Sequence, residues 1–220
     1  MMAKKSISYL LSILGHPILG IMYMLLLYLK VNPYLFPYRD ERDLTTIVLI
    51  ILVTSVILPA ITLLLFRGVG FIKSFQLVER QERIGPLIAF MVCYLWLYLN
   101  VRTHNMIPIP FATFVLGALI AIFISFAINV FSKISLHGVG VGGFIAGLLV
   151  LLLNHGSSYL GFSFLGTSYQ IHSIFFISLV LILGGMILTS RLYLKAHIPQ
   201  EIYGGVVVGM LGQMIAYSFF

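Results

Sequence analysis

Charge is what this sequence has least of: of 220 residues only 9% are Asp, Glu, Lys or Arg, and the acidic residues number six. A water-soluble domain of this length cannot cover its surface from so small a polar stock. The single cysteine, Cys93, excludes both a disulfide framework and a Cys-based metal site, and its place inside an apolar run makes it a small core residue. No His-x-x-x-His or carboxylate-paired zinc spacing occurs, so no metal and no cofactor is expected. The thirteen basic residues are scattered singly over short connections rather than clustered with aromatics, which argues against a nucleic-acid partner and for anionic lipid headgroups. No polar stretch is long enough for a separate soluble domain, no internal repeat is present, and no feature assigns an oligomeric state.

What the chain has in abundance is apolar sequence: 60% of residues are hydrophobic and the mean hydropathy is +1.10. A membrane-crossing helix needs about 20 mostly apolar residues. Seven runs qualify as spans, at about Ile7 to Leu29, Leu44 to Phe66, Pro86 to Val101, Phe111 to Phe131, Val139 to Leu153, Ile171 to Thr189 and Ile202 to Tyr217. The expected fold is therefore an all-α integral membrane protein, one polytopic bundle of six or seven transmembrane helices, multi-pass in a bacterial inner membrane. Lys4 and Lys5 ahead of the first run superficially suggest a signal peptide, but the run continues apolar without a small-residue cleavage site and reads as a span. Gly15-His16-Pro17 predicts a kink in it, with His16 a buried histidine satisfied by backbone. Pro59 predicts a tolerated kink in the second span. Asn154 to Gln170 reads as a polar and aromatic loop, and the glycines of the fifth and seventh spans permit close helix packing.

Three polar islands interrupt this pattern, and they carry the chemistry. Ser190, Arg191, Lys195, His197 and Glu201 lie within twelve residues; Lys133, Ser135 and His137 form a second group; Lys73, Arg80 and Arg83 form a third. Two spans separate each island from the next, so all three emerge on one membrane face. His104, His155 and His172 fall on the other face and read as interfacial residues. Ionisable residues at the edge of lipid are costly, so their convergence points to function. Breaking a phosphate ester needs cations on the equatorial oxygens, an in-line nucleophile and a proton for the leaving oxygen. Arg191, Arg80, Arg83 and Lys133 suit the first role, with the forked guanidinium favoured. His197 suits the nucleophile, Glu201 four residues on can hold its far nitrogen, and His137 suits the general acid. Each residue also has a bland reading: Arg191 and Lys195 snorkelling at a helix end, Glu201 as a first-turn acid, His137 capping a loop. Their common sidedness and spacing favour the site, except for Lys195, which stays a surface residue.

Ser190-Arg191, five residues, His197, three residues, Glu201 resembles the third signature of the type 2 phosphatidic acid phosphatase superfamily, whose acid is usually Asp. Ser135-Leu136-His137 is similar to the end of its second signature, Pro-Ser-Gly-His, with Ile134 in place of Pro and Leu136 in place of Gly. Lys73, six residues, Arg80 resembles the first signature, with Gln81 where that signature has Pro; Arg83, three residues before Pro86, is the alternative. The resemblance covers about 35 residues directly, and departs from the family scheme in placing two spans between the first and second signatures. It implies a membrane-bound lipid phosphatase without a metal, a phosphohistidine at His197, and a phosphate held by Arg191, Arg80, Arg83, Lys133, Ser135, Ser190 and Lys73. The implied substrate is a lipid phosphate of the phosphatidate, phosphatidylglycerophosphate or polyprenyl diphosphate type, in contact with membrane lipids. A lipid phosphotransferase and a non-catalytic phospholipid-binding or transport protein are the alternatives. Cations are more numerous on the face of the islands, but with Arg80, Arg83, Lys133, Arg191 and Lys195 set aside the two faces balance, so charge assigns the site to neither side.

Overall fold

The computed structural model describes residues 2–77, 79–156, 158–164 and 167–220. The chain is an all-α bundle, a multi-pass integral membrane protein in which the described residues form six helical stretches long and apolar enough to cross a bilayer: Lys5–Val31, Glu41–Gly68, Gln81–Thr103, Ile109–Phe131, Leu136–His155 and Ser173–Tyr193. The first stretch is broken rather than kinked. Helix α1 (Met2–Leu14) ends at Gly15, the Pro17–Leu19 turn is capped by the His16 side chain, and α2 (Gly20–Val31) continues. Pro17 explains the break, because it has no amide hydrogen and biases the preceding residue out of helical backbone. The second stretch is α3 (Glu41–Leu52), capped by Asp40 through a 2.8 Å bond from the Asp43 amide, then a widened turn at Val53–Ile57, then α4 (Leu58–Gly68). The widened turn lies just ahead of Pro59, where the helical ladder loses a donor.

Helices α5 (Ile84–Thr103), α6 (Ile109–Phe131), α7 (Leu136–His155) and α8 (Ser173–Tyr193) extend the expected spans by a few residues at most ends. Between α7 and α8 the expected loop contains a two-stranded antiparallel hairpin, β1 (Tyr159–Phe164) and β2 (Thr167–His172), in register from Tyr159 opposite His172 to Phe164 opposite Thr167. The sixth span therefore starts at Ser173, with the His172 ring accepting from the Ile174 amide as its cap.

Helix α9 (Pro199–Tyr217) occupies the seventh expected span, although Gln200, Glu201, Gln213 and its glycines keep it off the list of strongly apolar stretches. It lies against α6 and α7. That contact is backbone on backbone. A Cβ at Gly142 would meet the Val206 carbonyl, one at Gly209 the Val139 carbonyl, and one at Gly138 the Ile202 carbonyl at 2.7 Å. Small residues let helices approach this closely in lipid, where packing replaces the hydrophobic drive. Away from this seam, the apolar core is built from α2, α3, α5, α6 and α7 around Met24, Leu25, Tyr28, Ile47, Leu97 and Phe111. Helix α8 sits at the rim, held through Gly184 against Val141 and by α1, whose Gly15 seats Ile187. Along α1 the usual polarity is inverted: Ser8 and Ser12 are buried, while Ile7, Leu10, Ile13 and Leu14 face outward.

The seam gives a direct test. Gly142→Ala and Gly209→Ala should each lower stability in detergent by about 2 kcal/mol or more through overpacking. Gly204→Ala, where an added Cβ meets nothing within 4 Å, should be neutral or stabilising by up to about 1 kcal/mol. Equal melting temperatures for all three would show that the α7–α9 approach is not a packing constraint.

Candidate functional site

The site forms where the N-termini of α7 and α9 meet the C-terminus of α8. Ser135 precedes α7 and caps it, its hydroxyl accepting from the Gly138 amide at 3.3 Å, while its own amide donates to the Glu201 carbonyl at 3.0 Å. That backbone bond ties the start of α7 to the first turn of α9. Pro199 takes the first position of α9, where its missing amide hydrogen costs nothing. Two helix N-termini thus aim their partial positive charge at one place, as anion sites do.

The turn from α8 into α9 is built just as tightly. The Ala196 amide donates to the Arg191 carbonyl at 3.0 Å and the Lys195 amide to the Leu192 carbonyl at 2.9 Å, with Lys195 in left-handed backbone, φ 53°. This is the glycine-type helix stop with a lysine in the glycine position, at a cost of about 1 kcal/mol. Its consequence is that the chain doubles back immediately, putting His197 beside Arg191. Lys195 itself is exposed, as its surface reading requires.

At the centre lies the pair of His197, just ahead of α9, and Glu201 in its first turn, with Nδ1 to Oε2 at 2.5 Å. The imidazole is buried, at 8% exposure. With Nδ1–H donated to the carboxylate, Nε2 carries the lone pair, and it makes no hydrogen bond among the described residues. Burial, and then the charges of Arg83, Lys133 and Arg191, push the ring down to about 3, while Glu201 pulls the other way. Burial, the largest cause, and the three cations act in the same direction, so the ring is neutral at physiological pH.

Those cations come from all three islands. Arg83, 3% exposed, is fixed by Nε donating to the Leu77 carbonyl at 2.8 Å and Nη1 to the Ile134 carbonyl at 2.6 Å, which leaves donors of its guanidinium free. Lys133 donates to the Ala196 carbonyl at 2.9 Å; burial and Arg83, with Arg191 adding, lower its pKa against the opposing pull of Glu201. Arg191, 7% exposed, donates Nη1 to Ser12 Oγ at 2.6 Å, and its Nε–H is buried without a partner among the described residues. An unsatisfied guanidinium donor beside two further cations is costly, and an anion is what relieves it.

His137 joins the cluster from the first turn of α7, within electrostatic reach of Arg191, His16 and His197. Its Nε2 lies 3.0 Å from the Ser12 carbonyl, which can only accept, and 3.3 Å from Ser12 Oγ. Its Nε2 proton is therefore held by the break in the first span, leaving Nδ1 as the atom available for chemistry. The His16 ring stands edge-on to it, centroids 5.4 Å apart, and accepts from the Ile18 amide as expected of a backbone-satisfied histidine.

The side chains of the remaining candidates are engaged elsewhere. Arg80 is exposed and donates to the Phe131 carbonyl at 2.6 Å, and Lys73 is exposed in an ion pair with Glu79 at 2.6 Å. Of the two candidates for the first island's cation, the buried one is Arg83. Ser190 is buried, but its hydroxyl donates to the Ile187 carbonyl of its own helix at 2.6 Å. Ser135 serves as a helix cap. Two residues missing from the sequence-based set, Ser12 and His16, complete the cluster; the signal was a serine and a Gly-His-Pro triplet inside an otherwise apolar run. Among the described residues no group of three or more His, Cys, Asp or Glu side chains has metal-binding geometry. No family model matches the chain, and neither curated proteins nor solved structures offer a match.

The shifted imidazole predicts a pH effect. His197 ionises near 6.5 in an unfolded chain and near 3 in the fold, so between those values the unfolded chain binds the extra proton and stability climbs with pH, levelling above 6.5. Thermal unfolding in detergent should show this rise, and His197→Gln should flatten it. An unchanged slope in that variant would place the acid sensitivity elsewhere.

Proposed function

We propose that this chain is a metal-independent lipid phosphatase of a bacterial inner membrane, acting on a phosphomonoester or diphosphate at the bilayer edge. The observation that carries the reading is the largely buried His197–Glu201 pair with Arg83, Lys133 and Arg191 around it, the Arg191 Nε–H being unsatisfied among the described residues. Fixed cations at the place where negative charge gathers are the main requirement of phosphoryl transfer. The signatures around His197 and His137 resemble those of type 2 phosphatidic acid phosphatases, which adds to the reading.

In this mechanism the His197 Nε2 lone pair attacks phosphorus in line while the bond from phosphorus to the lipid oxygen breaks. Glu201 stabilises the positive charge that develops on the ring through Nδ1–H. The departing oxygen takes its proton from His137. Since Nε2–H of His137 is engaged by Ser12, the proton must leave from Nδ1, which requires the imidazolium; an incoming dianionic phosphate favours that form. Water then attacks the phosphohistidine while giving a proton to the now neutral His137 Nδ1, which breaks the bond between phosphorus and nitrogen, releases inorganic phosphate and restores both rings. The lipid alcohol keeps its tail in the bilayer throughout.

The test is phosphate release by purified protein over a panel of lipid phosphates, with chelator present. His197→Ala should lose activity by about a thousandfold or more and Glu201→Gln by about a hundredfold or more, each remaining folded. Arg80→Ala should change turnover by less than about threefold, as expected for an exposed cation with little coupling to the site. Undiminished release by His197→Ala refutes the assignment, and phosphate appearing on a second lipid alcohol in place of water identifies a phosphotransferase.

A further inference from the structure

A narrow apolar cavity of about 70 Å³ begins beside the site, at Pro17 next to His16 and at Leu136 and Val139 flanking His137. It runs inward between α2, α5, α6 and α7. The lining spans Leu87 to Tyr94 on α5, Ile122 to Phe114 on α6 and Leu136 to Phe144 on α7, a rise of seven residues on the first and eight on the other two. At 1.5 Å per residue that is a depth of about 10 Å. At its inner end stand Phe114 and Gln213, which also line a second cavity of about 320 Å³ reaching Asn154, His155 and Tyr217 at the opposite end of the bundle.

The stop between the two cavities is firmly seated. Gln213 donates Nε2 to the Phe114 carbonyl at 3.1 Å and rests on Gly117, where a Cβ would meet its amide carbon at 2.5 Å; the Phe114 ring rests on Gly147. Dry apolar cavities in protein interiors accept hydrocarbon. About 70 Å³ strung along about 10 Å leaves the width of one chain, not two.

We propose that the lipid tail enters the bundle as a single chain, starting beside His16 and His137 and stopped at Phe114 and Gln213. The identity of the headgroup rests on the phosphatase reading; the path of the tail does not. The favoured substrate class is then a single-tailed lipid phosphate, alkyl or isoprenoid, over a two-tailed one.

Octyl and dodecyl phosphonates carrying a terminal diazirine, used on the full-length protein in nanodiscs, test this without turnover. The octyl probe should crosslink to Phe114, Tyr94 or Gln213. In Phe114→Ala the dodecyl probe should reach Asn154 or Tyr217, and in Ala118→Phe the octyl crosslinks should vanish while the melting temperature holds. Unlabelled geranyl phosphonate and octyl phosphonate should both compete, and a dialkyl phosphonate should not. Crosslinks at the lipid-facing residues Val92 or Leu95, competition by the dialkyl compound, or failure of the probe to bind would overturn the proposal. A wild-type protein that takes the probe as described but releases no phosphate from any lipid refutes the phosphatase reading alone.

Discussion

Helices α7 and α9 touch through their backbones, and the cluster is anchored at that seam. His137 and Ser135 stand at the head of one helix, His197 and Glu201 at the head of the other, and the Ser135 amide joins them through the Glu201 carbonyl. Glycines at 138, 142, 205 and 209 allow an approach that any side chain would obstruct. In lipid no hydrophobic force drives helices together, so close packing and interhelical hydrogen bonds have to hold this geometry. Because the two helix heads are locked, the distance between the catalytic candidates is set by peptide geometry rather than by long, mobile side chains.

Much of the architecture is legible in sequence because a bilayer admits few solutions. Apolar runs of this length must be helices, and their order and approximate ends follow. What escaped were features decided by local backbone chemistry. The hairpin strands Tyr159–Phe164 and Thr167–His172 have six residues each and no strict alternation of apolar and polar side chains, too weak a signal to stand out among longer runs. The first span contains a complete stop because Pro17 and the His16 cap act together, whereas each alone suggests only a bend. Helix α9 is the reverse case: modest in hydropathy, it packs one face, from Ile202 through Gly205, Gly209 and Gln213 to Ala216, against its neighbours and leaves Tyr203, Val207 and Met214 exposed.

The cluster was legible in its members and not in its partners. Spacing alone suggests the pairing of His197 with Glu201, four residues on, where the imidazole just ahead of α9 meets a carboxylate in its first turn. It does not choose between Arg80 and Arg83, because the short Gln81–Arg83 turn sends one outward to the Phe131 carbonyl and the other inward to the Ile134 carbonyl. Ser12 lies 179 residues from Arg191 and 125 from His137, and no local pattern announces such a meeting. Serines in a membrane helix are common and cheap to carry, so their number conveys little until their direction is known.

Helix α1, with serines turned inward and aliphatic residues outward, has packing partners on one side only within the protein. Hydrocarbon supplies the other side. The bilayer is thus a structural component of the cluster, pressing Ser12 onto Arg191 and His137 in the way a second protein layer would in a soluble fold. Extraction into a poorly matched detergent removes that pressure first, so the polar centre is exposed to loosening by its surroundings before any membrane-crossing helix has shifted.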